Sequence, residues 1–409
     1  MNNCKICNGP TELILDFGNM PIANAFVTDP SASEFLYHMS VVFCPKCFMV
    51  QLANTVPPEM MFNDHYAFIS STSNAMAIHF ENLAKHILDE ISLMEDPFVV
   101  ELGSNDGIML KHIKQANVKH LGVEPSKNVA DMGRKIGVNT TSKFFNVKTA
   151  DEIIKEYGKA DVISGSNVMC HIEDINSVFD GIKILLKDDG VLHFEDPYIY
   201  DIVKLSSFDQ MYDEHVYYFS GLSVQELGKR HGLQLVDMKA QNVHGGSMRY
   251  YLKKEKSSNK LSKEASEFIK KEKGLKLDKM SGYTNFRNSV NQICSDLTKT
   301  LTEIKSKGYK IAGYGATSKS TTLFNYANIN PDLIEYISDI TPTKIGKYTP
   351  GVHIPVKSHD LFLSDNPSYT LLLAWNHKKE IIEKEANYIK NGGKFITYFP
   401  EVEIYPKDS

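Results

Sequence analysis

The chain has 409 residues, 42% hydrophobic and 23% charged, an ordinary globular composition with more chain than one compact core organises. Its formal net charge of −5 excludes a global basic field for nucleic acid, and no apolar run is long enough to cross a bilayer. The opening residues, MNNCKICNGP, lack the charged and apolar regions of a signal peptide, so a cytoplasmic chain with reduced cysteines is expected.

Two CxxC pairs come first, Cys4/Cys7 and Cys44/Cys47. Each pair brings two thiolates to one side of a tight turn, and together they offer the four soft ligands of a structural Zn²⁺ site with no open position for chemistry. Cys170 and Cys294 are isolated and read as small buried hydrophobes.

From Phe98 onward the pattern alternates strand and helix. Phe98-Val99-Val100 leads through Glu101, Gly103, Asn105, Asp106 and Gly107 into an amphipathic helix. A second strand ends in Glu124, placed to accept both hydroxyls of a ribose. A third leads to Phe144 and Phe145, which flank a purine in this reading. A fourth turns polar after Ser164, adding Asn167, and a fifth ends at Glu195-Asp196-Pro197. The order predicts a parallel sheet with its ligand at the carboxyl ends of the strands. The first loop lacks the third glycine of a pyrophosphate cradle, and its acidity suits a cationic ligand. S-adenosylmethionine fits, with its positive sulfonium and ammonium and its ribose on Glu124. A Rossmann-like domain holding another ligand is the alternative.

Tyr212-Asp213-Glu214-His215 follows: a polar corner of the fold, or a set of proton-handling groups. The segment His244-Gly-Gly-Ser, with Arg249, reads equally as a cleft wall or a tight turn. Tyr217, Tyr218 and Phe219 read as packing residues, and the lysine-rich stretch around 253–279 as a solvated helical face. Beyond it, Gly313 and Gly315 precede a helix beginning near Ser318, a natural phosphate site to which Lys319 adds charge or is simply solvent-facing. Asp339 and Asn376-His377 end two further strands of a second Rossmann-like lobe.

Several blocks in order give a resemblance: the N-terminal cysteines, DHYAFISSTS (64–73), ELGSNDG (101–107), NVMCHIED (167–174), FDQMYDEHVYYFS (208–220), VHGGSMRYYL (243–252), GYGATSKSTTLFN (313–325) and LAWNH (373–377). Nearly the whole chain resembles the three-domain sugar C-methyltransferases that act on nucleotide-linked keto-deoxysugars. The resemblance implies an α/β chain with a zinc-binding domain (1–75), a class I methyltransferase Rossmann-like domain (76–240), and a helical connector with a C-terminal Rossmann-like substrate domain (241–409). It further implies methyl transfer from S-adenosylmethionine to a sugar carbon, C3, beside a 4-ketone. By motif match it places Tyr66, His171, Tyr212, Glu214 and His215 in the active site. The family often has a second histidine where this chain has Asp213.

Such a reaction needs a base of near-neutral pKa to remove the proton beside the ketone, and a donor for the enolate oxygen. His215 is the chosen base, with Tyr212 or Glu214 orienting it or shaping the sugar pocket, and Tyr66 and His171 on the oxyanion side. The partner is then a nucleotide-linked keto sugar, with no nucleic acid and no membrane, and the chain a monomer or weak homo-oligomer. Two other readings compete: an NAD-dependent nucleotide-sugar dehydrogenase or epimerase, and a zinc-ribbon RNA methyltransferase. The Ser-Asn-Asp loop argues against the first, the acidic balance against the second.

Overall fold

A computed structural model describes residues 3–57, 60, 69–243, 245–256 and 258–407, which fold around three sheets. Tyr66 and His244 lie outside the described residues. The first sheet is an antiparallel run of β1 (Glu12–Pro21), β2 (Leu36–Phe43) and β3 (Val50–Leu52), joined to the cysteine turns.

The helix Asn74–Ile91 leads into the second sheet. It is capped by the Ser73 side chain and buries Phe80, Leu83, Ile87 and Ile91 along one face. Strands β4 (Phe98–Leu102), β5 (Lys119–Val123), β6 (Thr140–Thr141), β7 (Ala160–Ser166) and β8 (Leu186–Pro197) then pair in parallel, in the order β6-β5-β4-β7-β8. All of β4 is buried, as the unbroken apolar run requires of a strand covered on both faces.

The next strand, β9 (Tyr217–Tyr218), leaves this sheet and adds antiparallel to β3. The chain then returns as a hairpin, β10 (Leu233–Gln241) and β11 (Ser247–Lys254), with β11 antiparallel to β8. The expected all-parallel sheet is therefore mixed. Gly245 (φ 90°) and Gly246 (φ 118°) reverse the chain where L-residues rarely go, so no crossover helix intervenes.

Two helices, Lys263–Gly274 and Met280–Ser306, connect to the third sheet. The face read as solvated is not wholly so. Glu272 is fully buried and accepts the Tyr198 hydroxyl (2.6 Å) and the Gly221 and Leu222 amides (2.7 and 3.0 Å), thereby capping the helix Gly221–Arg230.

The third sheet runs β14 (Val356–Ser358), β13 (Ile337–Asp339), β12 (Ile311–Tyr314), β15 (Tyr369–Leu372), β16 (Lys394–Thr397), β17 (Glu403–Tyr405), parallel except for β17. Its order repeats that of the second sheet about a first strand flanked by the second and the fourth. In such sheets the ligand crevice opens where the strand order reverses, here beyond β4 and β7 and again beyond β12 and β15. Both crevices open into one cleft of about 1550 Å³, lined by Gly103 and Asn167 on one side and Ser318 and Asn376 on the other. Among the described residues no helix is long and apolar enough to cross a membrane.

Candidate active site

The two cysteine turns have the same backbone. Asn8 (φ 55°) and Phe48 (φ 60°) follow the second cysteine of each pair, and their amides donate to the carbonyls of Cys4 (2.9 Å) and Cys44 (2.8 Å). The Cys4 and Cys47 sulfurs are 3.5 Å apart, those of Cys7 and Cys44 3.4 Å, and all four lie within 4.8 Å of one another. Four sulfurs around one tetrahedral zinc stand about 3.8 Å apart, so the donor set fits one ion. Hydrogen bonds from neighbouring thiols pull Cys4 down to about 2 and push Cys44 up to about 11, with Cys47 higher still. One thiolate thus holds its neighbours' protons, and a cation is needed for all four to ionise. The turn is fastened to the second sheet's lobe by Lys5 and Thr55, both on Glu173 (2.9 and 2.7 Å).

The loop after β4 forms a cradle. Gly103 has φ 65°, and a Cβ there would meet Val168 Cγ2 at 2.0 Å. Glu124, at the end of β5, accepts the amides of Asn105 (3.0 Å) and Ser126 (2.8 Å), one on each carboxylate oxygen. Each oxygen keeps a second lone pair for a hydroxyl donor. Burial raises the Glu124 carboxyl, and raises Glu101 much further, with the charges of Glu124, Asp106 and Glu195 adding to the effect on Glu101. Oε2 of Glu101 is buried with no hydrogen-bond partner among the described residues. A buried acid beside other acids, aimed at a cleft, suits a cationic ligand, and S-adenosylmethionine brings two positive groups. Phe144, half exposed, Phe145 and Asn167 line the same cleft. Asp106 does not; its carboxylate accepts the Ser71 amide (3.2 Å) from behind the loop.

The tetrad divides between the cleft and the fold. Tyr212, Glu214 and His215 line the cleft, while Asp213 turns away and accepts the Ala23 amide (2.8 Å) in the first sheet's lobe. What fixes them is the chain on either side: Val216 donates to the Cys170 carbonyl (2.7 Å) and β9 is zipped to β3. His215 Nδ1 is 2.9 Å from the Gln210 carbonyl, which can only accept, so Nδ1 carries the proton and Nε2 is the basic nitrogen. The Tyr212 hydroxyl lies 3.0 Å from that Nε2, and burial holds the phenol well above its ordinary pKa, so it stays a neutral donor. His171 Nδ1 is 2.5 Å from the Glu214 carbonyl, which fixes the same tautomer, and the two imidazole centres are 5.2 Å apart. Tyr217, Tyr218 and Phe219 are buried packing residues.

Other wall residues carry no local sequence signal. Asn24, in the turn after β1, donates to Glu214 (2.7 Å) and accepts from Ser318 (2.9 Å), so it joins all three lobes. Lys344 and Lys347 line the cleft beside Ser318, the first residue of the expected helix Ser318–Tyr326. Lys319 is also there, half-buried, with its ammonium 4.6 Å from the Trp375 ring centre, and desolvation lowers its pKa. Arg249 is buried against Glu195 (2.8 Å) and does not line the cleft.

A Rossmann-like lobe with an acidic first loop, a carboxylate ending its second strand and a four-cysteine lobe beside it defines a zinc-bearing, S-adenosylmethionine-dependent methyltransferase. Family models agree in chain order: a zinc binding domain at residues 4–62, a methyltransferase domain at 76–238 and a C-methyltransferase C-terminal domain at 242–400. The chain is 30% identical to the C-methyltransferase NovU of Streptomyces niveus over 412 residues, covering 100% of this chain and 98% of that one. It belongs to that C-methyltransferase family, which sets aside the dehydrogenase reading. Among solved structures, magnesium protoporphyrin IX methyltransferase from Synechocystis PCC 6803 matches 44% of this chain and 79% of its own, at 9% identity and a TM-score of 0.34. A methyltransferase from Anabaena variabilis matches 43% and 85%, at 15% identity and a TM-score of 0.35.

Proposed function

We propose that the enzyme methylates C3 of a nucleotide-linked 4-keto-deoxysugar, with His215 as the base. The observation that carries this is the single cleft in which the His215–Tyr212 pair stands between the cofactor loop and a cationic wall of the third sheet's lobe. A carbon acid needs a base and an oxyanion donor within reach of one another, and here Nε2 and a neutral phenol are 3.0 Å apart. In this reading His215 Nε2 takes the proton beside the ketone and the Gln210 carbonyl keeps the ring in register. Tyr212 donates to the enolate oxygen. His171, whose Nδ1 proton is already committed to the Glu214 carbonyl, stands beside it on the oxyanion side. Glu214 faces the sugar hydroxyls. Tyr66 belongs to the oxyanion side by motif alone.

Glu101, Gly103, Asn105, Glu124, Phe144, Phe145 and Asn167 hold the cofactor in this assignment, with Asp106 bracing the loop, and Cys4, Cys7, Cys44 and Cys47 hold the zinc. When bound, S-adenosylmethionine supplies an already activated methyl, so the protein's task is to make and orient the carbon nucleophile. Lys344, Lys347 and the start of the helix at Ser318 take the nucleotide phosphates. The test is incubation of the purified protein with S-adenosylmethionine and a panel of keto-sugar nucleotides, read by mass spectrometry. Methylation of a 4-keto sugar at C3 is expected; methylation only of non-sugar carbon acids overturns the reading.

A further inference from the structure

We infer that His86, Glu90 and His193 form a second site for a divalent ion of the zinc class. None of the three lines the cleft, and the inference does not rest on the proposed substrate. His86 and Glu90 are one turn apart on the helix Asn74–Ile91, hence on one face, and that face packs beside His193 of β8. One ligand atom from each residue lies within 4.8 Å of the others.

The hydrogen bonding there is incomplete in a way an ion would complete. His193 is 1% exposed, and among the described residues neither of its ring nitrogens has a hydrogen-bond partner. Its Nε2 stands 2.9 Å from Glu90 Oε2, also buried, yet the two are not aligned as a hydrogen bond. At 2.9 Å the imidazole and the carboxylate pair with each other, and a shared cation would take one lone pair from each. Leaving the Nδ1 of so buried an imidazole without a hydrogen-bond partner is otherwise costly. The Tyr251 hydroxyl is 3.2 Å from His86 Nε2, and its ring centre is 4.6 Å from that of His193.

Two imidazoles and one carboxylate select a borderline ion such as Zn²⁺ or Co²⁺ over Mg²⁺ or Ca²⁺, which take oxygen ligands. The fourth position falls to water or to Tyr251. An ion there ties the helix to β8. The same helix lines the cleft through Met76 and Phe80 and bonds His79 to Glu195, so the ion braces one wall of the cofactor site.

The test uses the full chain with its cysteine site already loaded with zinc. Titration with Zn²⁺, followed by calorimetry and by metal analysis after desalting, is expected to show one further equivalent and a raised thermal midpoint. Co²⁺ in its place gives d–d bands without a thiolate charge-transfer band. His86→Ala and Glu90→Gln, at partly exposed positions, each weaken uptake at least about tenfold and leave the cysteine-bound zinc in place. Absence of a further equivalent in the wild-type protein overturns the proposal whether or not the variants fold. So does uptake undiminished in the doubly substituted chain, or a thiolate band with Co²⁺.

Discussion

Replacing His215 by Asn separates the two tasks its ring performs. The side-chain amide of asparagine reaches about where Nδ1 stands, so it still donates to the Gln210 carbonyl, a bond of 2.9 Å in the wild-type protein. Nothing replaces Nε2, which lies 3.0 Å from the Tyr212 hydroxyl. The structural loss is therefore one hydrogen bond to Tyr212, about 1 kcal/mol of stability, since the Gln210 carbonyl stays satisfied. The chemical loss is the base, worth ~10²–10⁴-fold in rate, or about 3–5 kcal/mol of barrier. The assay isolates the proton step. In heavy water with the keto sugar and S-adenosylhomocysteine, the wild-type enzyme should wash deuterium into the carbon beside the ketone without methylating it. His215→Asn should lose exchange and turnover by the same factor, with cofactor affinity unchanged. Wild-type exchange in a folded His215→Asn chain would refute the assignment and move the base to His171 or Tyr212. His215→Ala, which also orphans the Gln210 carbonyl, should cost more stability but no more rate.

Four other outcomes are expected. Glu124→Gln, which leaves one acceptor oxygen, should weaken S-adenosylmethionine by about 1–3 kcal/mol, read by calorimetry, and Glu124→Ala by more, because it strips both the Asn105 and Ser126 amides of their acceptor rather than one. Cys4→Ser or Cys44→Ser should release the zinc and unfold the N-terminal lobe, so a fully folded, metal-free chain by metal analysis and circular dichroism would contradict the site. Lys347→Ala should raise KM for the nucleotide sugar about tenfold without changing cofactor affinity, whereas an unchanged KM would remove the phosphates from that wall. Burial pushes Asp213 up to about 7 from an ordinary 3.8, so the folded chain binds its proton more tightly than the unfolded one. Stability from this group is full at low pH and lost as pH rises from about 4 to about 7. Asp213→Asn should therefore stabilise the protein at pH 8 and confer no advantage near pH 4, as thermal midpoints across pH will show.

Much of this was legible because periodicity and short-range chemistry carry it. The strand at Phe98, the glycine turn at Gly103 and the helix starting at Ser318 are local events, set by apolar runs, by the freedom of glycine and by capping. The β10–β11 hairpin was not anticipated, because its strands are apolar enough to pass for parallel ones and only the Gly245–Gly246 turn decides their direction. Asn24 and Lys344 were equally invisible, since their place in the cleft depends on how separate lobes pack and not on any neighbour in sequence. Glu272 misled for the same reason: among lysines it reads as solvated, yet a helix N-terminus from 50 residues earlier buries it. Within the tetrad, residue types alone could not say that Asp213 faces one way and its neighbours the other.

The bridge through Asn24 bears on how such enzymes can be recombined. Its amide has one orientation available, the nitrogen toward the Glu214 carboxylate and the oxygen toward the Ser318 hydroxyl, so residues from three lobes specify one another. A chimera that imports a foreign C-terminal lobe to change substrate choice inherits whatever stands at position 318. Unless that side chain donates, the amide can flip or drift, and the carboxylate next to His215 loses its bearing. Grafting the turn that carries Asn24 together with the lobe it meets, rather than cutting at the connector helices, is the transplant boundary this contact recommends.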